Sequence, residues 1–324
     1  MRHCLPLRWP AAAAEAARPL LGRLNCALRS NFDARFPRAW QRWVSVKSLL
    51  IAASWLLVHA FAGFCAAQDR PAAVDVAFPG ETIDTWNGYR RHRFQFQDRE
   101  AWVVEPARPK GRGEFSWCLM FPDAFTTRCA VPDLLEQGFY HVYLAVGNTF
   151  GSPDSVRRFE AFHRELIGRG LASRAVLIGI SRGGLYAHRY AAEHPDRVAV
   201  IYGDAPVLDF KSWPGGRGVG KGSPADWEAM KRAYAFEDDA AAVAYSRNPV
   251  DTLTPLAKHR IALIYVVGDA DDVVPFEENS QLAAERYRAL GGVVEVIRKP
   301  GVGHHPHGLD DPKPIADFIL KHTP

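Results

Sequence analysis

At 324 residues and 48% hydrophobic content the chain can bury one large core, and a single domain carrying an insertion suits its rhythm better than two domains. The formal net charge is +4, but residues 1–67 hold nine Lys or Arg against two Asp or Glu, which leaves 31 basic against 34 acidic residues beyond them. The basic balance belongs to the leader, so the body has no nucleic-acid footprint, and no C-x-x-C spacing offers a cysteine metal centre.

The chain begins with a targeting pattern. Lys47 precedes the apolar run Ser48–Phe64, and Cys65-Ala66-Ala67 supplies small cleavage-site residues, so a signal is expected over about 46–67 with cleavage before Gln68. Residues 1–45, rich in Ala and Arg, are too long for the charged start of such a signal, which places the expected start site near Val46. The competing reading is an N-terminal membrane anchor, for which 17 apolar-leaning residues lie near the lower limit of a spanning helix. Bulky Phe64 argues against lipidation of Cys65. The expected product is secreted or periplasmic and free of the membrane after cleavage, with 68–90 as a linker and 91–324 as the folded domain. It keeps Cys118 and Cys129, and for Cys118, in the strand-like run Phe115–Phe121, a buried thiol is a commoner outcome than a disulfide.

Phe94-Gln95-Phe96 and Ala101–Val104, parted by polar Gln97–Glu100, read as an antiparallel hairpin. A strand near Cys118 follows, then a helix over Pro132–Gln137, a strand over Tyr140–Val146 and a helix over Ser155–Ile167. The apolar run Arg174–Ile180 then leads into Gly179-Ile180-Ser181-Arg182-Gly183 and a helical pattern over Gly184–His194. A serine on a sharp strand-to-helix turn exposes its Oγ, and flanking glycines relieve the crowding there. The bare pentapeptide is common by chance, and its strand and helix context is what gives it meaning. Strands at Val198–Tyr202, Ile261–Val267 and Val293–Ile297 continue the alternation, which argues for a mostly parallel sheet with helices on both faces. Residues about 208–260 interrupt it with glycine-rich Trp213–Gly222 and helical patterns at Pro224–Ala235 and Glu237–Ser246, read as a small helical lid.

Two loops after strands carry the other chemistry. Gly268–Pro275 contains Asp269, Asp271 and Asp272, and Pro300–His307 contains His304, His305 and His307. A Ser/acid/His set needs one residue from each loop beside Ser181, with Asp204 in Gly203-Asp204-Ala205-Pro206 as a rival acid and His305 as a rival base. Three histidines within four positions also suggest a metal, but no carboxylate of matching spacing accompanies them, and neither a metal nor a cofactor is expected.

In the order Ser181, acid, histidine the chain resembles the α/β-hydrolase superfamily from about Arg91 onward, and in particular its secreted bacterial esterase-like and prolyl-oligopeptidase-like serine hydrolases. The resemblance implies an α/β-hydrolase fold. Its patterns, glycine with an Asp three positions on and Val-Pro following, and Gly-x-Gly-His, place the acid on Asp271 and the base on His304. The customary His-Gly after the third strand is replaced by Phe121-Pro122. Oxyanion donors are then expected from the backbone N–H of Arg182 and from Asp123 or Ala124. Asn148, just past a strand end, and Trp213 are expected to contact substrate, while Trp227 suits either a sugar ring or the packing of the lid. The implied activity is cleavage of carboxylic esters, small-molecule or carbohydrate, through an acyl-enzyme. The rival expectations are a prolyl-oligopeptidase-like peptidase and a non-catalytic binding protein on the same scaffold.

Overall fold

The computed structural model describes residues 74–109 and 111–324, all within one compact unit, Pro71–Pro324. The signal and start-site expectations for residues 1–67 lie outside the described residues. Nine strands form one sheet: β1 (Thr82–Trp86), β2 (Tyr89–Phe96), β3 (Arg99–Val104), β4 (Phe115–Cys118), β5 (Tyr140–Leu144), β6 (Ala175–Ile180), β7 (Val198–Asp204), β8 (Ala262–Gly268) and β9 (Val294–Lys299). Their order is β1-β2-β3-β5-β4-β6-β7-β8-β9; the first four pair antiparallel and the rest parallel.

The expected hairpin is β2–β3, with Phe94 opposite Ala101. The sheet nevertheless starts earlier than residue 91. Strand β1 occupies part of the stretch expected as a linker, and it escapes an apolar reading because its outer positions are exposed while Asp84 pairs across to Arg91 at 2.8 Å. Every residue of β6, β7 and β8 is buried, as central parallel strands covered on both faces require.

Side chains alternate between two cores. On one face Leu177, Ile201 and Leu263 meet helices α2 (Pro153–Gly168) and α3 (Gly183–Glu193), together with the inserted segment and α7 (Leu282–Ala289). On the other, Ile178, Val200 and Ile264 meet α1 (Val131–Glu136) and the C-terminal α8 (Lys313–His322). Among the described residues no helix is long and apolar enough to cross a membrane. Cys118 and Cys129 are free and buried; burial pushes the Cys118 thiol up to about 12 and raises Cys129 as well.

The insertion between β7 and β8 carries α4 (Pro224–Tyr234), α5 (Asp239–Val243) and α6 (Thr254–Lys258). Phe210 lies at its centre, its ring centroid 5.1 Å from Tyr245, 5.5 Å from Tyr234 and 6.3 Å from Trp227. Trp227 is buried and donates from Nε1 to Asp239, so this tryptophan ties the helices of the insertion to one another.

Helix α3 crosses β6 and β7 at backbone contact distance. A Cβ on Gly179 would meet Gly183 O at 2.9 Å, and one on Gly184 would meet Pro206 Cβ at 2.6 Å and Val207 O at 2.8 Å. At Gly183, the final glycine of the pentapeptide, a Cβ would meet only Met120 Cβ at 3.4 Å. The steric demand expected of Gly183 thus falls one residue later. Gly184→Ala should lower stability by about 1–3 kcal/mol through overpacking, whereas Gly183→Ala should change it little; urea melts of the two variants beside the parent check both.

Candidate active site

Four adjacent parallel strands deliver the polar groups at their C-terminal ends. Ile180 pairs with Asp204 across β6–β7, Asp204 with Val266 across β7–β8, and Gly268 with Lys299 across β8–β9. The loops after these positions hold Ser181, Asp204, Asp271 and the histidines, so the register of the sheet brings together residues more than a hundred positions apart.

Ser181 stands at φ +51°, the left-handed turn that lifts its side chain away from strand and helix. The turn is tied from both sides: Ser181 N–H donates to Asp204 O at 2.8 Å, and Ser181 O accepts from Val207 N–H at 2.9 Å. Ser181 Oγ lies 2.9 Å from His304 Nε2, and His304 Nδ1 lies 2.7 Å from Asp271 Oδ2. Asp271 is 8% exposed, and its Oδ1 accepts from the N–H groups of Val273 and Val274, each at 2.9 Å. Burial alone would raise the Asp271 pKa, but the hydrogen bond from His304 and the two backbone donors outweigh it and hold the carboxyl below the ordinary aspartate value. Ser181, His304 and Asp271 are thus brought together in the expected order.

The rivals sit elsewhere. Asp204 is fully buried and binds the neighbouring histidine: His307 Nδ1 lies 2.7 Å from Oδ1, while Oδ2 accepts from Gly308 N–H at 2.8 Å and from Tyr202 Oη at 2.5 Å. His305 is exposed and stacks near Phe125 with ring centroids 6.0 Å apart. Asp272 pairs with Lys221 at 2.6 Å, and Asp269 accepts from Gly301 N–H at 2.6 Å, so both neighbours of Asp271 brace loops.

The oxyanion expectations need one change. Ala124 N–H is spent on Phe121 O at 3.0 Å in a tight turn, and the Asp123 carboxylate is drawn to β1, where it accepts from Trp86 Nε1 at 2.7 Å. Among the described residues the N–H groups of Arg182, Phe121 and Asp123 make no hydrogen bond, so Asp123 keeps a free backbone donor and only Ala124 is ruled out. Phe121, at φ +60°, belongs to the loop whose Met120 faces the start of α3, and its ring lies 5.6 Å from the Arg182 guanidinium.

Asn148 and Trp213 converge on one side chain. Arg182 Nη1 donates to Asn148 Oδ1 at 2.8 Å and lies 3.3 Å from Asp226 Oδ1, and its guanidinium carbon sits 5.2 Å from the Trp213 ring centroid and 5.8 Å from that of Phe150. Trp213 is only 8% exposed, so instead of offering an open stacking face it forms the bed of the arginine. Asp226 was not expected here. Its sequence signal was the spacing Ser223-x-x-Asp226, a helix start, and Ser223 does cap α4 by accepting from Asp226 N–H. Tyr186, in the first turns of α3, orders the loop on both sides of Asn148: its Oη accepts from Thr149 and Phe150 N–H at 2.8 and 2.7 Å and donates to Gly147 O at 3.0 Å.

No curated protein matches the sequence. Among solved structures, a puromycin-hydrolyzing peptidase of Mycobacterium tuberculosis is similar at 14% identity and TM-score 0.53, covering 78% of this chain and 39% of that one. Dipeptidyl peptidase 4 of Porphyromonas gingivalis is similar at 14% identity and TM-score 0.53, covering 75% and 35%. This chain therefore spans well under half the length of these two peptidases. An S-formylglutathione hydrolase from Agrobacterium tumefaciens matches at 15% identity and TM-score 0.51, covering 74% of this chain and 95% of that one. A model of the alpha/beta hydrolase family matches residues 111–318, from the approach to β4 into α8, and takes in every residue of the Ser181 site. With well over half its length inside that match and its sheet ordered as described, the chain belongs to the alpha/beta hydrolase family.

Proposed function

We propose that this protein is a serine hydrolase that cleaves carboxylic esters through an acyl-enzyme, with Ser181 as nucleophile, His304 as general base and acid, and Asp271 holding the imidazole. One observation carries the reading: the continuous relay from Ser181 Oγ to His304 Nε2 at 2.9 Å and from His304 Nδ1 to Asp271 Oδ2 at 2.7 Å. With Asp271 on Nδ1, the bare Nε2 lone pair faces the serine, as a base requires. Ser181 Oγ attacks the ester carbonyl while His304 takes its proton; the carbonyl oxygen becomes an oxyanion, met by the N–H groups of Arg182 and Phe121. Collapse expels the alcohol with the proton held by His304, and water, deprotonated by the same imidazole, then releases the acid.

Two observations support ester over peptide. An S-formylglutathione hydrolase is matched over nearly its whole length, so a hydrolase of that kind needs no more of the fold than is described here. Trp213 and Phe150, beside the nucleophile, are occupied by Arg182, and the insertion is packed down on the body. The substrate class this suits is a small-molecule ester. The signal pattern at 46–67 supports a site of action outside the cytoplasm.

Ser181→Ala should reduce turnover of a chromogenic ester by about 10⁴-fold or more and abolish labelling by a fluorophosphonate, with an unchanged melting temperature. The parent should cleave an ester faster than the amide of the same acyl group; equal or inverted rates favour the peptidase reading, and near-normal turnover of the Ala variant removes the mechanism altogether.

Asp271→Asn should lower kcat by about 10⁴-fold by stabilising the wrong imidazole tautomer. Because the folded protein lowers the Asp271 pKa, its ionised form adds stability that is full above the ordinary aspartate value, about 4, and fades as pH falls through the lowered one. Melting temperatures of parent and variant should therefore differ at neutral pH and converge below about pH 4. Asp204→Asn should reverse the emphasis, with the smaller loss of kcat and the larger loss of melting temperature. Equal kcat losses in the two variants would count against Asp271 as the triad acid.

A further inference from the structure

We propose that His304, His305 and His307 form a binding site for a zinc-class divalent cation, and that its occupation switches the hydrolase off by capturing the nitrogen that accepts the Ser181 proton. The switch rests on the triad reading above; the cation site rests on geometry alone.

One ring nitrogen from each histidine lies within 4.8 Å of one from each of the others, and the ring centroids are 4.7–5.0 Å apart. Tetrahedral coordination with metal–nitrogen bonds of 2.0–2.1 Å needs the nitrogens about 3.4 Å apart. His305, exposed and without a hydrogen bond among the described residues, is the ring free to close that gap.

The other two imidazoles are already oriented for ligation. His304 Nδ1 is held by Asp271 and His307 Nδ1 by Asp204, each at 2.7 Å from a buried carboxylate. A carboxylate on one ring nitrogen fixes the tautomer that leaves the other bare and raises its basicity, which is how metal-ligating histidines are supported. The His304 relay needs one such pair for hydrolysis. The Asp204–His307 pair is a second, which the reaction does not use, and His307 Nε2 has no hydrogen-bond partner among the described residues.

Three imidazoles select zinc, copper, nickel or cobalt over magnesium and calcium, which prefer oxygen donors. A bound ion would take the lone pair of His304 Nε2, so Ser181 would keep its proton. A water would complete the coordination. No covalent bond of the protein changes, and a chelator should restore activity.

The test uses metal-free protein and its His305→Asn variant. Titration with CoCl2 should give the visible absorption of tetrahedral cobalt in the parent and not in the variant. ZnCl2 should suppress ester turnover and fluorophosphonate labelling in the parent, EDTA should reverse both, and MgCl2 should do neither. The variant should keep the metal-free rate and labelling while the half-inhibitory zinc concentration rises at least tenfold. Absence of the cobalt band from the parent, or equal zinc sensitivity in parent and variant, overturns the proposal. If metal-free parent fails to label, it is the triad reading that fails, and the cobalt spectrum still decides for or against the cation site.

Discussion

The site depends on what happens at the last residue of β7. Asp204 uses its backbone oxygen to hold the N–H of Ser181 and its carboxylate to hold His307, Gly308 and Tyr202. The Ser181 turn and the histidine loop are far apart in sequence, and this one residue grips both. A fully buried carboxylate is costly unless its oxygens are satisfied, and here three donors converge on it. Those donors come from two segments, β7 itself and the histidine loop, so the carboxylate is compensated only when that loop is docked. Arg128 reinforces the docking, donating from Nε to His307 O at 2.7 Å.

The other side of Ser181 is organised around Arg182. Its backbone belongs to the proposed oxyanion site, while its side chain reaches Asn148 after β5 and Asp226 at the start of α4. The insertion is therefore anchored to the residue adjoining Ser181, and a displacement of α4 would be felt by that turn. The ion pair is partly exposed, so its energetic worth is modest. Its value lies in fixing where the guanidinium sits, between the rings of Trp213, Phe150 and Phe121.

Much of this was legible from sequence because the central strands are buried on both faces. Continuous apolar runs such as Ala-Val-Leu-Ile-Gly-Ile in β6 and Ala-Leu-Ile-Tyr-Val-Val in β8 have no other reading in an alternating chain, and polar residues directly after them mark the reactive edge. Strand β1 was not legible, since an edge strand stabilised by Asp84–Arg91 pairing carries no apolar run. Nor was the role of Gly184: periodicity does not reveal that Pro206 and Val207 press on the helix there. Asp226 lay inside the helical pattern at Pro224–Ala235, and periodicity does not reveal that its carboxylate meets Arg182. Asp204 and His305 stayed ambiguous because only the three-dimensional pairing of two acids with three histidines separates them.

The two thiols, Cys118 at the end of β4 and Cys129 before α1, are free, buried and held in their protonated form. A thiol that is neither exposed nor ionised reacts slowly with oxidants and exchanges poorly with disulfides. No crosslink is drawn upon to hold these elements in place. An oxidant in the surroundings therefore meets no exposed thiolate among the described residues, and the packing around β4 and α1 is left to apolar contact alone.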